Sequence, residues 1–418
     1  MNKLTSWLWA GLLAISLVLA APLRAQQPPP LRIGFGMSLT GPLAGNGKAA
    51  LISMQIWAED VNAKGGILGR KVELVYYDDQ TNPSTVPSIY TKLLDVDKVD
   101  LIVSGYGTNV IAPAMPIVMQ RNMALMSLFG LNVNSKFNYD RYFQIMPAGP
   151  EPALGWTQGF FDVAMALAPK PQTIALVGAD AEYPALALEG ARAQVKRTGL
   201  KVVYDKTYPP NTVDFSPIIR AIQATSPDLI FVASYPPDSA GIIRAANEVA
   251  LKTRMFGGGM VGPQFAALKT QLGPLLNGLV NYEAYAPDVA AKFPFLEQFL
   301  AKYQGRAIKE GVDPLGFYLP PYAYAMMQVL EQAIKATGGL DQAKLADYMH
   351  TFEFDTYVGK VRFAKNGEWA IPRMMTVQYH GITANELEQW MRPGHVTVLA
   401  PSSYATGSVM TPYQDNRK

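Results

Sequence analysis

The chain has 418 residues, 49% of them hydrophobic and 17% charged, with a formal net charge of +3 and no cysteine. The missing cysteine excludes disulfides, thiolate metal sites and cysteine nucleophiles. A near-neutral balance with no basic stripe argues against nucleic acid, and the length suggests two or more domains.

The opening, MNKLTSWLWAGLLAISLVLAAPLRA, carries Lys3, an apolar run over 8–21 and Ala25 as a cleavage residue. The run is short for a bilayer span, so 1–25 reads as a secretory signal peptide, followed by a Pro-rich linker at 26–31. Its removal takes Lys3 and Arg24 and no acid, which leaves the remaining chain about neutral. Without cysteine there is no N-terminal lipidation site. No later run reaches about 18 uninterrupted apolar residues. The expectation is a soluble periplasmic protein without a lipid anchor.

From residue 31 the pattern alternates. Apolar runs at 31–35, 72–77, 101–103 and 124–127 read as strands. Between them, 48–62 reads as a helix with Leu51, Met54, Trp57, Ala58 and Val61 on one stripe. A second helix is expected over 83–95, with Asn82 as N-cap and Pro83 at the first helical position, and a third over 111–120. A second series follows: strands at 173–179, 201–208, 228–234 and 255–257, helices at 185–197, 216–224 and 239–249. Strands alternating with helices predict α/β lobes whose parallel sheets are covered on both faces. The first lobe ends near 147 and the second runs to about 278. Later come helices at 293–303, 322–337 and 344–350, a hairpin in GKVRFAKNGEW turning at Asn366-Gly367, and strands at 375–379 and 396–400.

Catalytic machinery is thin. LTGPLAGNGKAA (39–50) approaches a phosphate-binding P-loop, but Pro42 stands where the first glycine belongs and Ala49 where the hydroxyl belongs. His350, His380 and His395 fall late in the chain and read as surface residues, and no G-x-S-x-G elbow occurs. Asp78 and Asp79 end a strand before QTNP, where carboxylates commonly satisfy turn N–H groups. No catalytic residue, metal site or cofactor is assigned. VSGYGTNVIAPAMP (103–116) and SLFGLN (127–132) each place small or hydroxyl residues after a strand, a setting suited to a carboxylate.

The stretch from Leu39 to Ser84, with VNAKGGILGR at 61–70 at its centre, closely resembles the leucine/isoleucine/valine-binding protein family, type I solute-binding proteins of ABC importers. The resemblance continues through APAMPI, TIALVGADAEYPAL, DFSPIIRAI, PDLIFVASYPPDSAGIIRAA and GKVRFAKNGE. It implies two Rossmann-like lobes joined by three crossovers near 147–151, 279–284 and 357–362, with a ligand clamped between them. Lobe 1 would then comprise 32–147 plus 284–357, lobe 2 would comprise 148–280 plus 362–390, and 391–418 would form a C-terminal extension. The implied partners are a small ligand and an inner-membrane permease, with the protein itself a monomer.

The resemblance also implies ligand contacts. Thr108 matches the hydroxyl that binds the ligand carboxylate. Phe129 and Gly130 match backbone N–H places, and Tyr183 and Tyr235 match second-lobe tyrosines. Three places depart: Leu131 stands for a threonine, Asn46 for the cleft-loop tyrosine, and Met260 for the glutamate that takes the ligand ammonium. A later tyrosine falls at Tyr282 or Tyr285. A buried ammonium without an acceptor costs several kcal/mol. Tyr106, Phe129, Leu131 and Met260 would form an apolar, adaptable wall. The ligand expected is therefore a carboxylate with a hydrophobic or aromatic body. The alternatives are a hydrophobic or branched-chain amino acid, its ammonium met by Asp238 or Glu283, and a periplasmic sensor that presents ligand to a receptor. An enzyme would need a base or nucleophile in the cleft, and none is found.

Overall fold

A computed structural model describes residues 28–417. The segment expected to be a signal peptide, 1–25, lies outside the described residues. Fourteen strands organise the described chain: β1 Leu31–Met37, β2 Val72–Asp78, β3 Leu101–Tyr106, β4 Leu125–Leu128, β5 Tyr142–Gln144, β6 Thr173–Ala179, β7 Lys201–Tyr208, β8 Leu229–Ser234, β9 Met255–Met260, β10 Val280–Glu283, β11 Phe354–Thr356, β12 Gly359–Val361, β13 Met375–Tyr379 and β14 Val396–Ala400. They form a five-stranded sheet, β2-β1-β3-β4-β5, a seven-stranded sheet, β14-β13-β10-β9-β8-β6-β7, and the hairpin β11-β12. The first sheet is wholly parallel. In the second, only β13 runs against the others, pairing antiparallel with β10 on one side and β14 on the other. Central strands such as LIVSGY and LIFVAS are buried along their whole length, as sheets covered on both faces require.

Proline placement accounts for several helix boundaries. The helix expected at 111–120 is broken into Thr108–Ile111, a 3₁₀ turn Ala112–Ala114, and Met115–Gln120. Pro113 and Pro116 each remove a donor there. Helix Ala44–Ala63 packs Trp57 fully into the core, where its indole Nε1 donates to Glu331 of helix Leu319–Thr337 at 3.0 Å. Two helices give no clear sequence signal, Pro152–Met165 and Ala266–Leu272.

The chain passes between the lobes three times. The first passage lies between β5 and helix Pro152–Met165, and the second follows β10. The third falls later than 357–362. Gln144 N donates to Gly367 O at 2.8 Å, and Phe363 packs on Phe143 at 5.2 Å, so the turn after β12 stays with the first sheet. The chain leaves it at 370–374, where Arg373 N bonds Pro147 O at 2.8 Å. Residues 391–417 are not an extension. They supply β14, and buried Tyr413 stacks edge-on to Phe256 at 5.1 Å.

Glu368, at the end of that turn, is fully buried and its Oε2 has no hydrogen-bond partner among the described residues. Burial holds its carboxyl well above the ordinary carboxylate range. A carboxyl raised on folding binds its proton more tightly in the native state, so its contribution is intact below the unfolded pKa and is lost as pH rises through the folded one. Glu368→Gln should therefore gain on the parent above about pH 4.3, by up to ~1.4 kcal/mol per pH unit. Urea unfolding between pH 4 and 8 measures the gap; a gap independent of pH would show that Glu368 is ionised when folded.

Candidate ligand-binding site

The cleft walls form at the carboxyl ends of parallel strands, where α/β sheets place their ligand sites. After β1, the loop at 38–43 is clamped by the two aspartates that close β2. Asp78 Oδ1 accepts from Leu39 N at 2.9 Å and Gln80 N at 2.8 Å, and its Oδ2 accepts from the Thr40 hydroxyl at 2.7 Å. Asp79 Oδ1 accepts from the Ser38 hydroxyl at 2.6 Å and Thr81 N at 2.8 Å. These carboxylates satisfy turn donors and set Leu43 against the cavity. Gly47, the glycine of the P-loop look-alike, is needed for packing, because a Cβ there would lie 1.9 Å from Ser38 O.

β3 ends at Tyr106. Gly107 follows at φ 107°, a region open to glycine, and turns the chain so that Thr108 begins a short helix over the cleft. Thr108 Oγ1 accepts the Leu131 N–H at 3.0 Å. A hydroxyl carries one donor and two acceptor sites, so this bond leaves the O–H free to donate to a ligand.

The loop after β4 is held from behind by Gln144. Its Oε1 accepts from Phe129 N at 3.0 Å, and its Nε2 donates to Gly130 O at 2.8 Å. These bonds pin Phe129 at φ 54°, an uncommon region for a bulky residue. Its ring sits edge-on to Tyr318 at 5.3 Å and Tyr322 at 5.2 Å.

Opposite, Tyr183 lies in the first turn of helix Glu182–Thr198 and Tyr235 directly before helix Pro236–Glu248. The Tyr183 hydroxyl donates to Gly259 O at 2.9 Å, and the two rings lie 5.8 Å apart. Tyr106 and Tyr318 share a hydroxyl contact of 3.2 Å. Burial raises the phenols of Tyr106, Tyr183 and Tyr318 well above their usual range, so they act as neutral hydrogen-bonding groups.

These walls close on a cavity of about 20 Å³, room for little more than one water molecule. The first lobe contributes Leu43, Tyr106, Gly107, Thr108, Phe129 and Leu131; Met146, Trp156, Tyr183, Tyr235, Val261 and Tyr318 complete the lining. The structure thus gathers Tyr106, Thr108, Phe129, Leu131, Tyr183 and Tyr235 at one cavity.

Four expected positions fall elsewhere. Met260 is fully buried, its N–H and C=O both engaged by the Asn281 side chain at 3.0 and 2.8 Å. Successive side chains at a strand end point to opposite sides, and Val261, the next residue, lines the cavity instead. Asn46 is buried inside helix Ala44–Ala63, outside the lining, and its Nδ2 has no hydrogen-bond partner among the described residues. Tyr285 packs between Phe293 and Phe317 at 5.8 and 5.1 Å. Gly130 is outside the lining and faces Gln144 through its carbonyl. The backbone expectation fails at Phe129, whose N–H is taken by Gln144.

Trp156 and Tyr318 are the main lining residues the sequence reading missed. Trp156 stands one turn into helix Pro152–Met165, whose only sequence mark is Pro152 at its start. Tyr318 directly precedes helix Leu319–Thr337, where Pro320 and Pro321 occupy the first turn.

Neither candidate ammonium acceptor reaches the cavity. Glu283 accepts from Lys269 Nζ and the Tyr379 hydroxyl, each at 2.6 Å. Asp238 accepts from the Tyr208 hydroxyl at 3.2 Å, and burial pushes its carboxyl up to about 6. The cavity lining contains no acidic residue. The three histidines are half-buried and lie away from it. Among the described residues, no cluster of His, Asp or Glu could hold a metal, and no helix is long and apolar enough to cross a membrane.

The pattern of the periplasmic binding proteins matches residues 30–413. The chain belongs to that family. An amino acid binding protein of Pseudomonas aeruginosa is 25% identical over 86% of this chain and 92% of its own length. The Leu/Ile/Val-binding protein of Escherichia coli is 23% identical over 81% and 88%. A solute binding protein of an ABC transporter from R. palustris, solved in complex with benzoate, superposes with a TM-score of 0.71 at 17% identity, over 88% of this chain and 95% of its own. The fold is that of the two-lobed type I binding proteins. A periplasmic binding protein carries its ligand and does not transform it, so the tyrosine-rich cleft is a candidate binding site and not a candidate active site.

Proposed function

We propose that this periplasmic binding protein captures a small carboxylate with a hydrophobic or aromatic body and delivers it to an ABC permease in the inner membrane. The observation that carries this reading is the make-up of the cavity: a Thr108 O–H without an acceptor among the described residues, aromatic walls, and no acidic side chain. An α-amino acid would bury its ammonium against Leu131 and Val261, at a cost of several kcal/mol without a partner. A carboxylate instead receives the Thr108 hydroxyl. Ligand bound on the first lobe is covered by Tyr183 and Tyr235 as the second lobe swings in, and the buried ligand stabilises the closed form. The R. palustris neighbour was solved with benzoate bound, which is consistent with a fold that accepts an aromatic acid. In this reading the protein works as a monomer in the periplasm, its segment 1–25 removed on export.

The test is a thermal-shift panel on residues 26–418, stripped of bound ligand by unfolding and refolding. It compares leucine, isoleucine and phenylalanine with benzoate, 3-phenylpropionate and 4-methylvalerate. Ligand at about 100 times its Kd adds roughly 2.7 kcal/mol. The acids should raise the melt while the amino acids leave it unchanged; the opposite pattern would refute the proposal. Thr108→Val should weaken the binding acid about tenfold or more by calorimetry, since hydrogen bonds to charged groups contribute ~1.5–3 kcal/mol. An unchanged Kd would remove Thr108 from the carboxylate site.

A further inference from the structure

The loop from Gly311 to Tyr318 belongs to the first lobe. It joins helix Leu296–Glu310 to helix Leu319–Thr337, and Lys302 and Arg306 of the former pair with Asp60 and Glu59 of helix Ala44–Ala63, both at 2.7 Å. The loop is anchored within that lobe. The Tyr303 hydroxyl donates to Asp313 O at 2.9 Å, and Gln304 Nε2 donates to Leu315 O at 3.1 Å. Gly316 turns at φ 67° against the Tyr303 ring, where an added Cβ would lie 2.4 Å from it. These contacts hold Asp313 in place from its own side, with Oδ1 accepting from Leu315 N at 3.3 Å.

The same oxygen accepts from Ala266 N at 3.2 Å. Ala266 opens a helix that follows β9 of the second sheet, so this bond crosses the cleft. A helix leaves its first N–H groups without partners of its own, and Phe265, the residue before this one, supplies no side-chain acceptor. Asp313 supplies from one lobe the acceptor that the other lobe's chain lacks. Beside this bond the Phe265 ring crosses as well, next to Gly45 and 6.5 Å from the Tyr318 ring. Asp313 is outside the cavity lining, whereas Tyr318 is part of it. One anchored loop therefore carries a cavity-lining ring at its end and the crossing carboxylate near its start. A second crossing, Lys136 to Glu182 at 3.3 Å, has side chains 57% and 32% exposed, and pairs so exposed contribute little.

We infer that Asp313 is a closure latch: its carboxylate takes the Ala266 N–H only when the lobes meet, and so sets how firmly the closed form retains a ligand that Asp313 does not touch. This rests on the hinge closure proposed above and not on the class of ligand. Loss of the latch lowers the share of closed protein, and the apparent affinity falls with that share.

The experiment titrates wild type, Asp313→Ala, Ala266→Pro and the double variant with 3-phenylpropionate by calorimetry, and follows ligand release by stopped flow. Proline at the first helical residue removes the N–H where a helix tolerates it, and Phe265 before it is already extended at φ −103°, ψ 138°. Asp313→Ala should weaken binding about tenfold, chiefly through faster release. The double variant should bind no more weakly than Ala266→Pro alone, because the two residues act through one contact. Losses that multiply in the double variant would mean that Asp313 serves only its own loop, which overturns the inference. An unchanged Kd for Asp313→Ala would overturn it too. If wild type takes phenylalanine and not the acid, the carboxylate reading fails, and the same four proteins titrated with phenylalanine still decide the latch.

Discussion

Lys269→Ala is expected to lower stability by about 3–5 kcal/mol, the loss found when one member of a buried ion pair is removed. The Lys269 and Glu283 side chains are only 4% and 1% exposed, and their charges meet at 2.6 Å. The ammonium also lies 5.2 Å from the Tyr379 ring centre and 4.9 Å from that of Trp390. Truncating it leaves Glu283 buried with the Tyr379 hydroxyl as its remaining donor. Even with Lys269 present, burial outweighs the partner and holds the Glu283 carboxyl above its ordinary range. Without the lysine that shift grows, so the deficit should shrink as pH falls and Glu283 takes a proton. Lys269→Met combined with Glu283→Leu should recover most of the loss, because an apolar pair of similar volume removes both charges. Urea unfolding of the three variants checks this; a loss under about 1 kcal/mol for Lys269→Ala would mean that water reaches the pair. The site is touched as well. Lys269 sits in helix Ala266–Leu272, where Ala266 N donates across the lobes to Asp313 Oδ1 at 3.2 Å, and the preceding Phe265 packs on Tyr318 at 6.5 Å. A softened helix loosens one wall of the closed cleft.

The alternation of short apolar runs with amphipathic segments made both sheets legible, because β1, β3, β6 and β8 must each be apolar on both faces to lie between helix layers. The cavity was legible where residues stand directly after such strands, as Thr108, Phe129, Leu131 and Tyr235 do. Legibility failed where geometry turns on a single residue. Met260 and Val261 are adjacent apolar residues, and only the direction of the strand end decides which one faces the ligand. Gln144 was invisible as the residue that takes the Phe129 N–H, because a glutamine in a three-residue strand carries no pattern. Trp156 and Tyr318 reach the cavity from helix starts far along the chain, so no local spacing marks them as partners.

Val261→Glu is expected to weaken binding of an organic acid at least about 100-fold. Val261 is 2% exposed, lines the cavity, and is fixed by its N–H to Ser234 O at 3.0 Å. A glutamate there would face the ligand carboxylate within one small space. Two like charges about 4 Å apart repel by ~4 kcal/mol at an effective dielectric of 20, close to a thousandfold in affinity. The same substitution supplies the acceptor that an ammonium lacks in the native lining. Phenylalanine should therefore gain on 3-phenylpropionate by a comparable factor, and the order of the two ligands should invert. The gain in absolute affinity for phenylalanine should be smaller than the loss for the acid. The unliganded variant buries an unpaired carboxylate whose pKa rises, and Leu131 still offers the ammonium no second partner. Adding Leu131→Thr should then improve phenylalanine binding about tenfold or more, one hydrogen bond to a charged group. Calorimetry with the two ligands against wild type, Val261→Glu and the double variant reads all three steps. Undiminished binding of 3-phenylpropionate to Val261→Glu would show that position 261 does not face the ligand. If wild type already prefers phenylalanine, its ammonium is met by a group that this cavity does not display.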